Sequence, residues 1–417
     1  MKFIKYILAT SIGFSVACSN NDSQDMVKNN ELLVEGTWHL DFMLSTTNLL
    51  PVEFTLNKTD SSYEVEFSNA EEKIKTKDVS INGNKIVIKD AVFNSWFEGE
   101  IVNSTKIKGF WFRENDTYKI PFEASQSIQE RFTVPKNLSK HQPNISGKYE
   151  VDFSKGTDDH YKAIGLFQQV DNYVTGTFIT ETGDYRFLEG NMYNNNLYLS
   201  CFDGAHAFLF KASLINGVLE GNFWSGTHWE EPFVAIKNDN FELNNPDSLT
   251  FLKEGFETIN FKLPNTEGKK VSLTDEKYKN KVVIVNIMGP WCPNCKDETA
   301  FLTDLYSKYN TQGLEIIALS FDKTDDFETS KNNIIKLQTH FKANYDFLIA
   351  GKANKIEAAK VLPMLNQIMS YPTSVFIDRT GKVRKIRTGF YGPGTGNYYK
   401  RYTDETHIFV QQLLNEK

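Results

Sequence analysis

The chain has 417 residues, more than one ordinary hydrophobic core supports, so two or three domains are expected. Hydrophobic residues make up 40% and aromatic residues 13%, a composition suited to well-packed soluble domains. The formal charge of −7, with no Lys/Arg-rich stripe, argues against a nucleic-acid partner.

The chain opens "MKFIKYILATSIGFSVACSNND", which reads as a targeting segment. Lys2 and Lys5 form a basic start, and Ile7 to Ala17 form an apolar run well short of the roughly 20 residues of a membrane helix. Small residues then lead into Cys18. This resembles a bacterial lipoprotein signal, with Ser15 where such signals usually carry Leu. It implies a signal peptide over 1–17, lipidation of Cys18, and a polar tether over 18–33. The competing reading is an ordinary secretory leader with an incidental cysteine. The expected location is the cell envelope or periplasm, anchored to a membrane through Cys18, with inner and outer membrane both open.

Residues 34–126 and 145–237 read as two copies of one β-rich unit. "GTWHLDF" at 36–42 returns as "GKYEVDF" 111 residues on, and "PFEA" at 121–124 returns as "PFVA" at the same offset. Runs such as "YEVEFS" and "KIVIK" alternate apolar and polar residues, and "NGN", "TGD" and "NNN" mark turns. The pattern predicts antiparallel sandwiches or barrels. Two separate small barrels and one large shared sheet fit it equally. "SQSIQERFTVPKNLSKHQPN" links the copies. "THWEE" holds His228, Glu230 and Glu231, which alternation would split across two faces.

From 246 to 417 the pattern changes to α/β. "NFKLPNTEGKKVSL" is a hairpin-like entry. "KVVIVNIM" is a continuous apolar strand of the kind covered on both faces. "DETAFLTDLYSKY" has a helical apolar face, "LEIIALSFD" is a second buried strand, "NNIIKLQTHF" is a helix and "YDFLIAG" a strand. "NKIEAAKVLPMLNQI" reads as a helix bent at Pro363. "TSVFID" and "KVRKIRTG" form an antiparallel pair, "GPGTG" at 392–396 a surface loop, and "DETHIFVQQLL" a closing helix.

Cys292 and Cys295 stand in "GPWCPNCKDE", between the first buried strand and its helix. A structural zinc site needs four ligands. No second CxxC exists, and His340 and His407 lack ligand spacing, so neither a metal nor another cofactor is expected. A structural disulfide across so short a loop would restrain the unfolded chain little. Cys201, alone in "LYLSCFDG", reads as a core residue. The remaining reading is a redox pair forming a Cys292–Cys295 disulfide. A helix N-terminus stabilises a thiolate, so Cys292 is the exposed attacker and Cys295 the resolving thiol one turn on. Pro293 and Asn294 restrict the loop between them. Pro372, just before a strand, predicts a turn or a cis bond, against a plain strand-entry proline.

With these residues in view, "NFKLPNTEGKKVSL", "KVVIVNIMGPWCPNC" and "YPTSVFIDRTGKV" resemble, in order and spacing, the TlpA/ResA-like thioredoxin-fold oxidoreductases of bacterial envelopes. The resemblance covers roughly 256–415. It implies a thioredoxin fold and a cis Pro372 against the disulfide. It also implies a partner groove at Trp291, Pro293, Tyr371 and Thr373. Asn286 stands where ordinary thioredoxins carry a buried acid, and Glu298 matches an active-site glutamate of the group. A carboxylate there could accept the resolving thiol's proton; a solvated helix acid is the competing reading. Met288, Gly289 and Pro290 depart from the group's usual residues and leave the groove's shape open.

The expected function is reduction of protein disulfides in the envelope, with protein thiols as partners and a dithiol donor upstream. Reductant, oxidant and isomerase share these residues and differ in potential. Apocytochrome c thiols, a misoxidised pool and one dedicated partner all stay open as substrates. Two alternatives stand beside it. One is a ligand- or partner-binding lipoprotein whose β-units are primary. The other is a peroxiredoxin-like peroxidase, whose PxxxTxxC arrangement is absent: the Thr position before Cys292 holds Gly289. All redox motifs lie beyond 256, so the β-units are expected to be dispensable for a small generic disulfide.

Overall fold

The computed structural model describes residues 33–416 apart from 61, 115, 116, 128 and 129. The proposed signal peptide, nearly all of the tether, and Cys18 lie outside them. Among the described residues no helix is long and apolar enough to cross a membrane.

The repeat is visible in three dimensions. Each copy is a nine-stranded antiparallel sheet. In the first, Gly36–Met43 and Tyr118–Gln126 pair at the centre. In the second, Gly147–Phe153 and Trp229–Lys237 do the same. The copies differ in closure. In the second, Tyr173–Thr180 pairs with Leu188–Tyr193 as well as with Tyr161–Val170, which joins the sheet into a barrel. The first sheet runs from Glu72–Thr76 at one edge to Val79–Asn82 at the other and stays open. Its aromatic core is completed from outside. Phe202 of the second copy lies 5.3 Å from Phe42, 5.0 Å from Phe67 and 5.3 Å from Trp111, ring centre to ring centre. Tyr193 and Leu209 join the same cluster. The arrangement is therefore neither two independent barrels nor one shared sheet, but a barrel whose outer face plugs an open sheet.

The linker between copies takes part in this joint. Arg131 is buried and donates to Ser200 Oγ (2.8 Å), Ser68 O (3.1 Å), Asn69 Oδ1 (3.1 Å) and Glu189 Oε2 (3.0 Å). These partners come from both copies.

The C-terminal part is a thioredoxin fold. Its strands are β1 (Val282–Met288), β2 (Leu314–Asp322), β3 (Asp346–Lys352), β4 (Thr373–Ile377) and β5 (Val383–Thr388). Its helices are α1 (Pro293–Tyr309), α2 (Phe327–Phe341), α3 (Lys355–Val361) and α4 (Asn397–Asn415). The sheet order is β3-β2-β1-β4-β5, with β1 and β2 parallel and β4 antiparallel to β1. Every residue of β1 and of β2 is buried, as continuous apolar runs require in a sheet covered on both faces. Two expectations are corrected. Pro363 does not bend a helix: α3 has already ended, and Leu362 is its C-cap, because the residue before a proline is driven out of the helical region. "GPGTG" is not a free surface loop. Gly392 N–H donates to Asp184 Oδ2 of the barrel at 2.6 Å, and Tyr391 packs with Ile164 and Ile179.

Arg131→Met is expected to cost about 3–5 kcal/mol, because it leaves the Glu189 carboxylate unpaired at the joint. Denaturant unfolding of both proteins measures it; a loss below about 1 kcal/mol would show the joint to be held by apolar packing alone.

Candidate active site

The site grows from the end of β1. Gly289, Pro290 and Trp291 turn the chain, and Cys292 caps α1 with extended backbone. Pro293 occupies the first helical position, where no N–H is needed. Cys292 Sγ takes the role of a capping oxygen: the N–H of Cys295 points at it from 3.2 Å. Both thiols are free, so the structure holds the dithiol form. Cys295 is fully buried and Cys292 only 7% exposed. The expectation of an exposed attacking thiol is thus corrected: Cys292 is the more accessible of the two, but it is recessed.

The Tyr371–Pro372 bond is cis. The Cys292 thiol donates to Tyr371 O at 3.4 Å, and Pro372 O accepts from Gly389 N at 2.9 Å. Thr373 is buried, with its hydroxyl donating to Ser370 O at 2.8 Å, so its side chain braces the loop from inside. Trp291 donates its indole N–H to Phe321 O at 3.0 Å, and its ring meets Tyr371 edge-on at 5.8 Å.

Glu298 lies one helical turn after Cys295, on the same face. It is 0% exposed, which excludes the solvated-acid reading. Asn286 Nδ2 (2.5 Å), Tyr402 Oη (2.7 Å) and Ser374 Oγ (3.1 Å) all donate to it. Burial pushes its carboxyl above the usual range, and the three donors pull against that. Burial also drives the Cys295 thiol well up, with the neighbouring Cys292 and the charge on Glu298 adding to it. The resolving thiol and the carboxyl therefore both hold protons more firmly than in water. Tyr402 and Ser374 were not found from sequence. Tyr402 is 104 residues from its partner in α4, with no motif to mark it.

The β-units reach this site directly. The barrel's turn at Glu181–Gly183 rests on the cis-proline loop, where Ser370 Oγ donates to Thr182 O at 2.8 Å. Gly183 sits at positive φ against Asn294; a Cβ there would overlap the Asn294 amide. Arg186, its side chain 4% exposed, ion-pairs with Glu72 of the open sheet and with Asp297 of α1. Val92, Phe93 and Ala205 share one apolar cluster with Cys292 and Cys295. These contacts run against the expected dispensability of the β-units. Among the described residues no group of three His, Cys, Asp or Glu is placed to hold a metal. "THWEE" scatters as expected: Glu231 is buried on Tyr161 and Ser154, while His228 contacts Tyr118.

Residues 255–386 match the family model described as the AhpC/TSA family. The curated relatives include the thiol-disulfide oxidoreductase ResA of Bacillus thuringiensis, 36% identical over 129 residues, covering 31% of this chain and 66% of that protein, just under two thirds. ResA of Geobacillus thermodenitrificans is 32% identical over 140 residues, covering 34% and 72%. ResA of Bacillus subtilis is 30% identical over 138 residues, covering 33% and 69%. Among solved structures, a thiol-disulfide oxidoreductase of Bacteroides fragilis aligns at 23% identity and TM-score 0.27, covering 35% of this chain and 99% of that one. A thioredoxin-family thiol:disulfide interchange protein of Chlorobium tepidum aligns at 18% identity and TM-score 0.30, covering 39% and 99%.

Tyr402→Phe removes one donor to Glu298 and is expected to raise its carboxyl pKa further. A carboxyl whose folded pKa lies above its unfolded value contributes stability that is complete below about pH 4 and is lost as pH rises through the folded pKa. The variant should therefore match the wild type in acid and fall behind, by up to about 1.5–3 kcal/mol, as pH rises through the folded pKa, the worth of a hydrogen bond to a charged group. Unfolding free energies across pH 4–9 check this; a pH-independent difference would mean that Tyr402 acts through packing alone.

Proposed function

Since the chain belongs, through its C-terminal part, to the ResA family of thiol-disulfide oxidoreductases, we propose that it reduces protein disulfides in the cell envelope through Cys292 and Cys295. The observation that carries this is the sulfur of Cys292 capping α1, with the Cys295 N–H directed at it and the Cys295 thiol buried behind.

In the exchange the Cys292 thiolate attacks one sulfur of a partner disulfide. The partner's S–S bond breaks, its other sulfur leaves as a thiolate, and a mixed disulfide forms. Cys295 then loses its proton to Glu298 and attacks Cys292 Sγ. The second partner sulfur leaves, and both electrons of the dithiol now reside in the partner. The protein ends as the Cys292–Cys295 disulfide, and an upstream dithiol donor must reduce it again. The half-buried Trp291 and Tyr371 frame the approach to Cys292, while the buried Pro293 and Thr373 shape it from behind. The position three before Cys292 is Gly289, without the hydroxyl that a peroxiredoxin-type site needs, so disulfide exchange is favoured over peroxide reduction.

Cys18 supplies the anchor in this reading. The protein is a lipoprotein held by its acylated N-terminus, with the polar stretch behind it as tether. Apocytochrome c thiols, a mixed misoxidised pool and one dedicated partner are separable by identifying what a resolving-cysteine variant traps.

Cys292→Ser is expected to abolish turnover of an insulin-type disulfide, and Cys295→Ser to accumulate mixed disulfides visible on non-reducing gels. Alkylation mapping that finds Cys295 the faster-reacting thiol would reverse the assignment. For the anchor, Cys18→Ser should release the protein into the soluble envelope fraction or stall its processing. A processed variant that stays on the membrane would remove the lipoprotein claim.

A further inference from the structure

The recessed thiol raises the question of how a partner reaches it. One flank is filled by the chain itself. There the barrel's turn at Thr182 and Gly183 lies on Ser370, Gly389 and Asn294. On the opposite flank, beside Trp291, the three units meet without closing. They leave a cavity of about 350 Å³, at the lower end of the 300–1,000 Å³ common for ligand sites. The open sheet contributes Phe93 and Arg113, the barrel Ala205, and the thioredoxin fold Trp291, Lys323 and Thr324.

The chemistry of this lining is specific. Its floor is apolar, with Phe93 and Ala205 buried. Its charges are already matched. Lys323 ion-pairs with Glu114 and lies 5.0 Å from the Trp291 ring centre. Asp322 accepts from Asn333 (2.9 Å) and from Lys323 N (2.7 Å), and His206 contacts Asp203 at 3.1 Å. Arg113 Nη1 donates to Ala205 O at 3.0 Å, but its buried Nε makes no hydrogen bond, the nearest carboxylate oxygen being Glu114 Oε1 at 3.6 Å. A buried donor without an acceptor is unfavourable, and a carbonyl entering beside Arg113 would supply one. No free charge is on offer, so a charged ligand gains nothing here. An uncharged backbone carbonyl and an apolar side chain do.

We propose that this cavity seats an extended segment of the redox partner next to its reactive cysteine, with an apolar side chain on Phe93 and Trp291 and a backbone carbonyl at Arg113. Continuity with the dithiol supports it, since Pro290 and Trp291 line the cavity and lead directly into Cys292. The proposal rests on the exchange reading and adds a substrate class. Partners present their cysteine on a flexible, uncharged stretch of chain rather than on a folded surface, and the β-units select for it.

The test uses the full chain and two oxidised substrates: a flexible two-chain peptide joined by one disulfide, with Leu beside the cysteine, and hydroxyethyl disulfide. Thr324→Trp and Asn94→Trp add bulk to the cavity lining from two different units. Both should lower kcat/KM for the peptide by about tenfold, the equivalent of one lost buried apolar contact, and leave hydroxyethyl disulfide unchanged. In the wild type, the same peptide with Ser in place of Cys should inhibit peptide turnover competitively and spare hydroxyethyl disulfide, an arm that does not depend on the variants folding. Equal slowing of both substrates, unchanged peptide turnover, or no inhibition by the Ser peptide overturns the proposal. Turnover of neither substrate by the wild type overturns the exchange reading itself.

Discussion

The first turn of α1 is the constraint from which the site follows. A helix begins with backbone N–H groups that lack partners, and a side-chain oxygen usually answers one of them. Here a sulfur does. The cap holds the Cys292 sulfur at the helix end, where it also meets Tyr371 O of the cis-proline loop. Cys295, three residues on, lies inside the helix packing. The two cysteines thus differ because one ends a loop and the other starts a core.

Burying this chemistry requires a wall, and the wall comes from all three units. Two arginines show how the units are joined. Arg131, from the linker, reaches groups of both β-units, and Arg186, from the barrel, reaches Glu72 and Asp297. A buried ion is tolerated only when its counter-charges are in place. Each arginine finds its full set only when the units are docked, so the same contacts that permit burial also fix the arrangement. Phe202 does the apolar equivalent, completing a core that the open sheet cannot close alone.

Most of the thioredoxin fold was legible because its signals are local. The buried runs of β1 and β2, the CxxC at a strand-to-helix turn and the proline before β4 each lie within a few residues. The β-repeat was legible through its constant offset. What stayed hidden depends on residues far apart in the chain. Nothing in "TGDYRF" marks Arg186 as a partner of α1, and nothing in α4 marks Tyr402 as a donor to Glu298. The closure of one sheet and not the other turns on a single extra pairing, between Tyr173–Thr180 and Leu188–Tyr193, whose counterparts in the first copy, Tyr63–Asn69 and Val79–Asn82, are not partners. "GPGTG" has the composition of a surface turn, and its glycines instead allow close approach of Asp184, Asp297 and the barrel backbone. Cys292 lies deeper than its loop position suggests, because its thiol meets Tyr371 O of the cis-proline loop, 79 residues on.

Burial also orders the chemistry. Desolvation raises the proton affinity of Cys295 and of Glu298 together, and each charge opposes the other. In the exchange we propose, resolving a mixed disulfide on Cys292 asks Cys295 to give up its proton, and the raised proton affinity of Glu298 suits that carboxyl to accept it. Asn286, Ser374 and Tyr402 hold the carboxylate through hydrogen bonds from three separate elements, β1, β4 and α4. Their combined pull opposes the rise that burial imposes. The recessed dithiol is thus a consequence of the same packing that raises these two proton affinities.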